Sequence, residues 1–166
     1  VSTRYGIDHL TELPNKALSE LILSKDYSMF ERNEGDYCVA IADIDLFKNV
    51  NDSFGHLVGD IVLHTIASIL SSKLRKYDSV CRYGGEEFIF SLPDTSMTKA
   101  IDILNRIRIE IQNTSIPFGD NQSTNVTCSF GVTKLSSRDT LDVTIKKADQ
   151  ALYLSKERGR NQVTAS

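Results

Sequence analysis

Apolar residues recur along the chain with the spacing of helices in some segments and of strands in others. Apolar stripes at helical spacing, together with helix-forming stretches between turn signals, predict helices at residues 15–23, 47–53, 58–74, 98–111 and 141–156. Short apolar or β-branched runs predict strands at residues 37–44, 79–83, 87–92 and 126–133. The pattern therefore predicts a mixed fold in which helices alternate with strands.

Two details indicate how these elements connect. The run YCVAIADI at 37–44 is apolar almost throughout, which is typical of a central strand buried on both faces. Gly84 and Gly85 separate two strands and predict a hairpin with a tight two-residue turn at positive φ. The resulting order contains βαββαβ. We therefore predict an α+β, ferredoxin-like fold, an antiparallel sheet with helices packed on one face.

Length and composition are those of one globular unit. The chain has 166 residues, of which 40% are hydrophobic and 25% charged, and it contains no repeat or linker-like tract, so we predict a single domain over 1–166. A net charge of -3 and the absence of Trp disfavour a nucleic-acid-binding module of this fold, and no nucleic acid is expected as a partner. Because the chain does not begin with Met, we interpret it as a piece of a longer protein.

The cysteines indicate a reducing compartment, and the hydropathy pattern indicates a segment that does not cross a membrane. Cys38, Cys81 and Cys128 lie in apolar or β-branched stretches, where buried free thiols are expected rather than disulfides or zinc ligands. The longest mostly apolar stretch, 61–70, is far short of the ~20 residues needed to cross a bilayer. We therefore predict a cytoplasmic segment that makes no direct membrane contact.

Two acidic pairs follow predicted strand ends. Asp43 and Asp45 lie at the carboxyl end of the central strand, and Glu86 and Glu87 follow the two glycines of the hairpin. Carboxylates that converge repel one another unless a divalent cation such as Mg²⁺ neutralises them, and glycines allow a phosphate to approach the backbone. Solvated acidic turn residues are the alternative interpretation.

Basic and amide side chains lie near these acidic pairs in the predicted order of elements. Lys48 begins the short helix, and Lys156 and Arg160 lie at the end of the last helix, where they would suit phosphate groups. Asn51 and Asp60 together can read the edge of a guanine. The alternatives are a solvated lysine, a cationic helix end and helix capping, respectively.

Five ordered motifs resemble the GGDEF domain of diguanylate cyclases. These motifs are DHLTELPN at 8–15, DIDLFKNVNDSFGHLVGD at 43–60, RYGGEEF at 82–88, SFGV at 129–132 and ADQALYLSKERGRN at 148–161. The signature has the GGEEF form. The resemblance implies a nucleotide-cyclase or palm-like version of the ferredoxin-like core, with a central antiparallel sheet flanked by helices. It also implies that the segment is normally linked to a sensor.

The resemblance implies a signalling reaction in which two GTP condense into cyclic di-GMP and two pyrophosphates. Its cofactor would be Mg²⁺ or Mn²⁺, two ions in each half-site. The implied metal ligands are Asp43, the Ile44 carbonyl, Glu86 and Glu87, and the implied catalytic residues are Glu86, which activates the 3′-hydroxyl, and Lys48. The implied GTP-binding residues are Leu10, Leu46, Phe47, Asn51, Asp60, Leu63, Gly84, Gly85, Lys156 and Arg160.

The family reaction implies two further features. Each 3′-hydroxyl must attack the other nucleotide, so two domains must meet as a homodimer, at least transiently. Arg75 and Asp78 form an RxxD motif at the spacing of the family's inhibitory site for its product, with Arg106 as a second contact and Arg108 as the alternative to it. A charged boundary between helix and strand is the other interpretation of this motif.

Departures from the family pattern are few. Glu12, Lys16 and Phe130 replace the residues that are common at these positions, and none of them removes an implied ligand. Asp60 is retained, which argues against acceptance of ATP. We therefore expect an active cyclase. The alternative is a receptor domain that binds GTP or cyclic di-GMP without turnover and signals through a partner.

Overall fold

The computed structural model describes residues 6–33 and 35–166. The helices are α1 (Lys16–Asn33), α2 (Phe47–Phe54), α3 (His56–Ser72), α4 (Met97–Gln112) and α5 (Leu141–Glu157). The strands are β1 (Tyr37–Ile44), β2 (Ser79–Arg82), β3 (Glu87–Pro93), β4 (Ile116–Pro117), β5 (Ser123–Thr124), β6 (Cys128–Lys134) and β7 (Val163–Ala165). No helix in the described ranges is long and apolar enough to cross a membrane.

The central sheet has the order β2-β3-β1-β6-β7. Strand β1 pairs antiparallel with β3 on one side and with β6 on the other, which confirms the predicted ferredoxin-like core. Strand β7 adds a parallel edge to β6, and β4 and β5 form a separate small ribbon. These three short strands were not predicted.

Helices cover both faces of the sheet, so the prediction of helices on one face was wrong. Alternate residues of β1 face opposite ways: Ala40 and Ala42 pack in a core with α3 and α4, whereas Val39 and Ile41 pack with α1 and α5. All eight residues of β1 are buried. A strand that is apolar on both faces needs cover on both, and its own sequence already indicated this.

The first helix is longer than predicted. It continues ten residues beyond the predicted end at 23, because Tyr27 and Phe30 extend the apolar stripe of Leu23 against the sheet.

The three cysteines are buried and free, which confirms the expectation of buried free thiols.

Candidate active site

A cleft of about 240 Å³ opens where α2, α3 and the β2–β3 loop meet. It is lined by Phe47, Lys48, Asn51, His56, Asp60, Leu63, Arg82, Gly85 and Glu86. Seven of these were predicted from the sequence to act on a nucleotide or metal, although they come from separate segments of the chain. Leu10 does not line this cleft. Its carbonyl accepts a hydrogen bond from His64 Nδ1 on α3 at 2.9 Å.

The predicted acidic residues meet at the ends of neighbouring strands. Asp43 at the end of β1 is directly opposite Glu87 at the start of β3, and the Ile44 N–H donates to the Glu86 carbonyl at 3.2 Å. Asp43 is 5% exposed and forms an ion pair with Lys156, Nζ to Oδ2 at 2.9 Å. Sheet register therefore brings Asp43, Glu86 and Glu87 together, and Lys156 joins them from α5 through its ion pair. We call these four residues the acidic cluster.

Burial and mutual repulsion raise the pKa values of carboxyl groups in the acidic cluster. Burial raises the pKa of Asp43 to about 6, against the opposing effect of Lys156, and Glu86 and Glu87 raise this pKa further. Burial and then the charge of Asp149 raise the pKa of Glu87. Carboxylate oxygens under mutual repulsion are the chemistry that suits a hard divalent cation. Within residues 6–33 and 35–166, however, no three His, Cys, Asp or Glu side chains are arranged as a ready metal site.

The raised pKa of Asp43 predicts a pH-dependent cost to stability. The folded protein favours the protonated Asp43 carboxyl more than the unfolded chain does. Protonation of Asp43 therefore adds to the free energy of unfolding in full below the usual pKa of 3.8, and this contribution is lost as pH rises through about 6. Replacing Asp43 with Asn should remove this component. We expect the variant to gain on the order of 2 kcal/mol relative to wild type between pH 4 and pH 7.5. Urea unfolding of both proteins at the two pH values measures this difference, and equal pH slopes would contradict it.

Arg82 holds the loop that carries the signature glycines. Its Nη2 donates to the Gly85 carbonyl at 2.8 Å and its Nε to the Gly84 carbonyl at 3.3 Å. Its Nη1 contacts both carboxylate oxygens of Asp8 at 3.1 Å. The loop therefore spans residues 83–86 with neither glycine at positive φ, and the predicted two-residue turn was wrong.

Asp8 and Arg82 are thus positioning residues that sequence reasoning missed as part of the site. The Asp8 carboxylate also accepts hydrogen bonds from the N–H and the hydroxyl of Thr11, at 2.9 and 2.7 Å. The available signal was their presence in two of the five motifs. Their 74-residue separation hid the contact.

The predicted guanine-reading pair lies inside helices rather than at their ends. Asn51 is within α2 and Asp60 within α3, and Gly55, at a φ of 89°, separates the two helices. Gly55 is the N-cap of α3 and makes no side-chain cap bond, so neither residue has the capping role of the alternative interpretation. The Asn51 amide packs so closely on Gly59 that a Cβ there would overlap its Oδ1.

The predicted phosphate-binding groups come from two separate places, the start of α2 and the C-terminal end of α5. Leu46 adopts a left-handed conformation, φ 56°, directly before α2, and Lys48 is exposed in the first turn of that helix. Arg160 is exposed beyond the end of α5, one turn after Lys156. Lys156 contacts the acidic cluster through its ion pair with Asp43, and Lys48 lines the same cleft as Glu86.

The RxxD motif forms a compact unit at the other end of β3. Arg75 Nη2 and Nε contact the two carboxylate oxygens of Asp78 at 3.0 and 3.1 Å, and Nη2 also donates to the Pro93 carbonyl at 2.8 Å. The Asp78 side chain is fully buried, and Arg75 borders a cavity of about 510 Å³. Arg106 does not line this cavity and pairs with Asp102 on the exposed face of α4, whereas Arg108 is bound to Asn161.

A ferredoxin-like sheet whose acidic strand ends border a basic and amide-lined cleft is typical of a nucleotide cyclase domain. The family model for the diguanylate cyclase GGDEF domain matches residues 5–162, so the chain belongs to this family. Diguanylate cyclases of this family are metal-dependent enzymes.

Named relatives agree with this assignment. The diguanylate cyclase DgcP of Pseudomonas aeruginosa is 40% identical over 156 residues, which are 94% of this chain and 23% of DgcP. The GGDEF domain of DgcB from Caulobacter crescentus, solved in complex with c-di-GMP, aligns with a TM-score of 0.96 and 32% identity over 99% of this chain and 95% of that one. SiaD of Pseudomonas aeruginosa, solved with its activator SiaC, aligns with a TM-score of 0.93 and 36% identity over 98% and 62%. The chain spans about a quarter of the length of DgcP.

Proposed function

We propose that this domain condenses two molecules of GTP into cyclic di-GMP and two molecules of pyrophosphate. The observation that carries the proposal is the pairing of Asp43 with Glu87, beside Glu86, next to a cleft that also presents Lys48, Asn51 and Asp60. In the first step a 3′-hydroxyl oxygen bonds to the α-phosphorus of the other GTP, and in the second the remaining 3′-hydroxyl of the linear dinucleotide bonds to its remaining α-phosphorus. In each step the bond from the attacked phosphorus to the bridging oxygen of pyrophosphate then breaks, and Glu86 accepts the hydroxyl proton.

The acidic cluster would hold the cofactor, Mg²⁺ or Mn²⁺, through Asp43, Glu86, Glu87 and the Ile44 carbonyl, two ions in each half-site. Bound there, the ions supply positive charge to the α-phosphate and the leaving pyrophosphate. Lys48, Lys156 and Arg160 bind the triphosphate, together with the backbone near Leu46, Phe47, Gly84 and Gly85. When no metal is bound, Lys156 neutralises the charge of Asp43, a role that their 2.9 Å ion pair supports.

Guanine selection is assigned to Asn51 and Asp60, and Leu63 and Leu10 are proposed to line the base. Leu63 lines the cleft, and Leu10 contacts His64 of α3. Asp60 is exposed at the cleft, where its carboxylate can accept from the ring N–H and amino group of guanine. Asp60→Ala should lower the preference for GTP over ATP by about 10²-fold, since a site built to bond polar groups loses discrimination when one partner is removed. Competition binding of the two nucleotides measures the ratio. Asp120→Ala, at an exposed loop, is the control, and an unchanged ratio in Asp60→Ala contradicts the assignment.

A single domain supplies one half-site, so catalysis requires two copies related by a two-fold axis. Each copy then presents its GTP to the other. This requirement makes the specific rate depend on protein concentration when the dimer is transient.

Product inhibition is assigned to Arg75 and Asp78. The Arg75 side chain is 44% exposed and lines the 510 Å³ cavity, where its guanidinium can bond a guanine edge or a phosphate. Arg75→Ala should raise the cyclic di-GMP concentration needed for half-inhibition by about tenfold or more, while turnover without product persists. Initial rates at increasing cyclic di-GMP measure this shift, with Lys99→Ala as the control. Unchanged inhibition would remove the assignment. A parallel measurement on Arg106→Ala tests the second contact.

Product identification tests the proposed reaction. The purified chain is freed of bound nucleotide and incubated with GTP and Mg²⁺, and the products are identified by mass spectrometry. We expect cyclic di-GMP and pyrophosphate from GTP and no cyclic product from ATP. GTP binding without any product would instead establish a receptor domain.

A further inference from the structure

Asp45 has a different environment from its neighbour Asp43. Its carboxylate is 6% exposed and accepts hydrogen bonds from the Thr127 hydroxyl on Oδ2 and the Ser129 hydroxyl on Oδ1, both at 2.7 Å. The backbone N–H of Asn161 donates to the same Oδ2 at 3.1 Å. These three donors engage both oxygens, so Asp45 is committed to protein contacts and is separate from the acidic cluster.

Asn161 connects Asp45 to the opposite wall formed by α4. Its carbonyl and Oδ1 accept from Arg108 Nη1 at 3.3 and 3.2 Å, and its Nδ2 donates to Gln112 Oε1 at 3.1 Å. Arg108 is itself held by Asn105 Oδ1 at 2.9 Å. Residue 161 is therefore clamped from two sides, by the end of β1 and by α4.

The clamp holds a backbone conformation that is otherwise unfavourable. Arg160 and Asn161 are consecutive residues with left-handed φ angles of 66° and 47°. Non-glycine residues adopt this region at a cost and persist there when their surroundings fix them. The Arg160 N–H also donates to the Ser155 carbonyl at 2.9 Å, which attaches the loop to the last turn of α5.

We propose that Asp45 is a positioning residue for the triphosphate, which acts through Asn161 to fix the backbone from which the Arg160 guanidinium reaches the phosphates. The proposal rests on the proposed function, because it takes the phosphate-binding role of Arg160 from it. The carboxylate is suited to this task because an ionised acceptor strengthens all three hydrogen bonds at once. An amide at the same place replaces one acceptor oxygen with a donor and removes the negative charge from all three contacts, and the Asn161 N–H can only donate.

A double-mutant cycle tests the inference through binding rather than turnover. The variants are Asp45→Asn, Arg160→Ala and the double variant. The probes are GMP and a GTP analogue with a methylene bridge between the α- and β-phosphates, titrated by calorimetry. Asp45→Asn should weaken binding of the analogue about tenfold, the size expected for one charge-assisted contact, and change GMP binding less than twofold. In the Arg160→Ala background it should cost little, because the partner through which it acts is gone.

Two results would overturn the inference: an equal loss for GMP and for the analogue, or the same loss in the Arg160→Ala background. Asp120→Asn, the same charge change at an exposed loop, is the control. If Asp45→Asn does not fold, Asn161→Gly replaces it. Glycine keeps the left-handed backbone and the backbone contacts to Asp45 and Arg108, but it loses the Oδ1 contact to Arg108 and the Nδ2 contact to Gln112, so the α4 side of the clamp is weakened. This variant should weaken analogue binding severalfold, and wild-type affinity would overturn the proposal. A wild-type chain that binds GTP without turnover contradicts the proposed function alone.

Discussion

Glu87→Gln should lower the rate of cyclic di-GMP formation by about 10³-fold while the protein remains folded, the size typical of losing one electrostatic stabiliser of the transition state. Glu87 is opposite Asp43 in the sheet, and its raised pKa reflects burial and neighbouring negative charges. The amide keeps the shape of the side chain but removes the anionic ligand that Glu87 is proposed to supply to the metal. Initial rates with GTP and Mg²⁺ measure the effect.

The matched control is Asp149→Asn. Asp149 is exposed on α5 and is the strongest charged influence on the pKa of Glu87, so this variant makes the same change of charge beside the same cluster. A loss below tenfold is expected there. Equal losses in the two variants would mean that only the net charge of the cluster matters, and would contradict the ligand assignment of Glu87.

The second large effect concerns stability. Gly131 lies in the middle of β6, where it pairs with Ile41 of β1, and its Cα faces the backbone of α5. A Cβ at this position would overlap the carbonyl oxygen of Ala148 and the amide nitrogen of Leu152, and neither can move without the whole helix. Gly131→Ala should therefore lower the free energy of unfolding by roughly 2–4 kcal/mol, which is the upper range for overpacked cores.

Urea unfolding measures this loss, with Gly85→Ala as its control. No atom lies within 4 Å of a Cβ added at Gly85, so that variant should unfold like wild type. Because α5 also carries Lys156, we expect Gly131→Ala to reduce activity as well. A Gly131→Ala protein with wild-type stability would contradict the close approach of α5 to the sheet.

Local sequence patterns predicted the elements better than the contacts between them. The apolar run of β1 gave its bounds and its burial, because a strand covered on both faces needs apolar residues at every position. Strand β7 could not be predicted, since three residues of weak pattern gain their pairing from β6. The turn at Gly84 and Gly85 was wrong because Arg82, which holds it, is itself fixed by Asp8 across the fold.

In the candidate site, too, local sequence patterns predicted positions better than long-range contacts. Asp43 and Glu87 were predicted to meet because each marks the end of a strand, and the register brings them together. Asp45 was grouped with Asp43 from its position, but hydroxyls and a backbone amide from distant segments engage its carboxylate. On α4, Arg108 is bound to Asn161 and Arg106 pairs with Asp102, a difference that helical periodicity did not predict. Which of the two contacts cyclic di-GMP stays a prediction.

The most direct test of the account is the rate of cyclic di-GMP formation from GTP and Mg²⁺ at increasing concentrations of the nucleotide-free chain. In the proposed reaction two half-sites must meet for each product, so the specific rate, per mole of protein, should rise with concentration until the dimer is saturated. Cyclic di-GMP with this concentration dependence is the predicted result. GTP bound at every concentration with no cyclic di-GMP formed would contradict the account and favour a receptor.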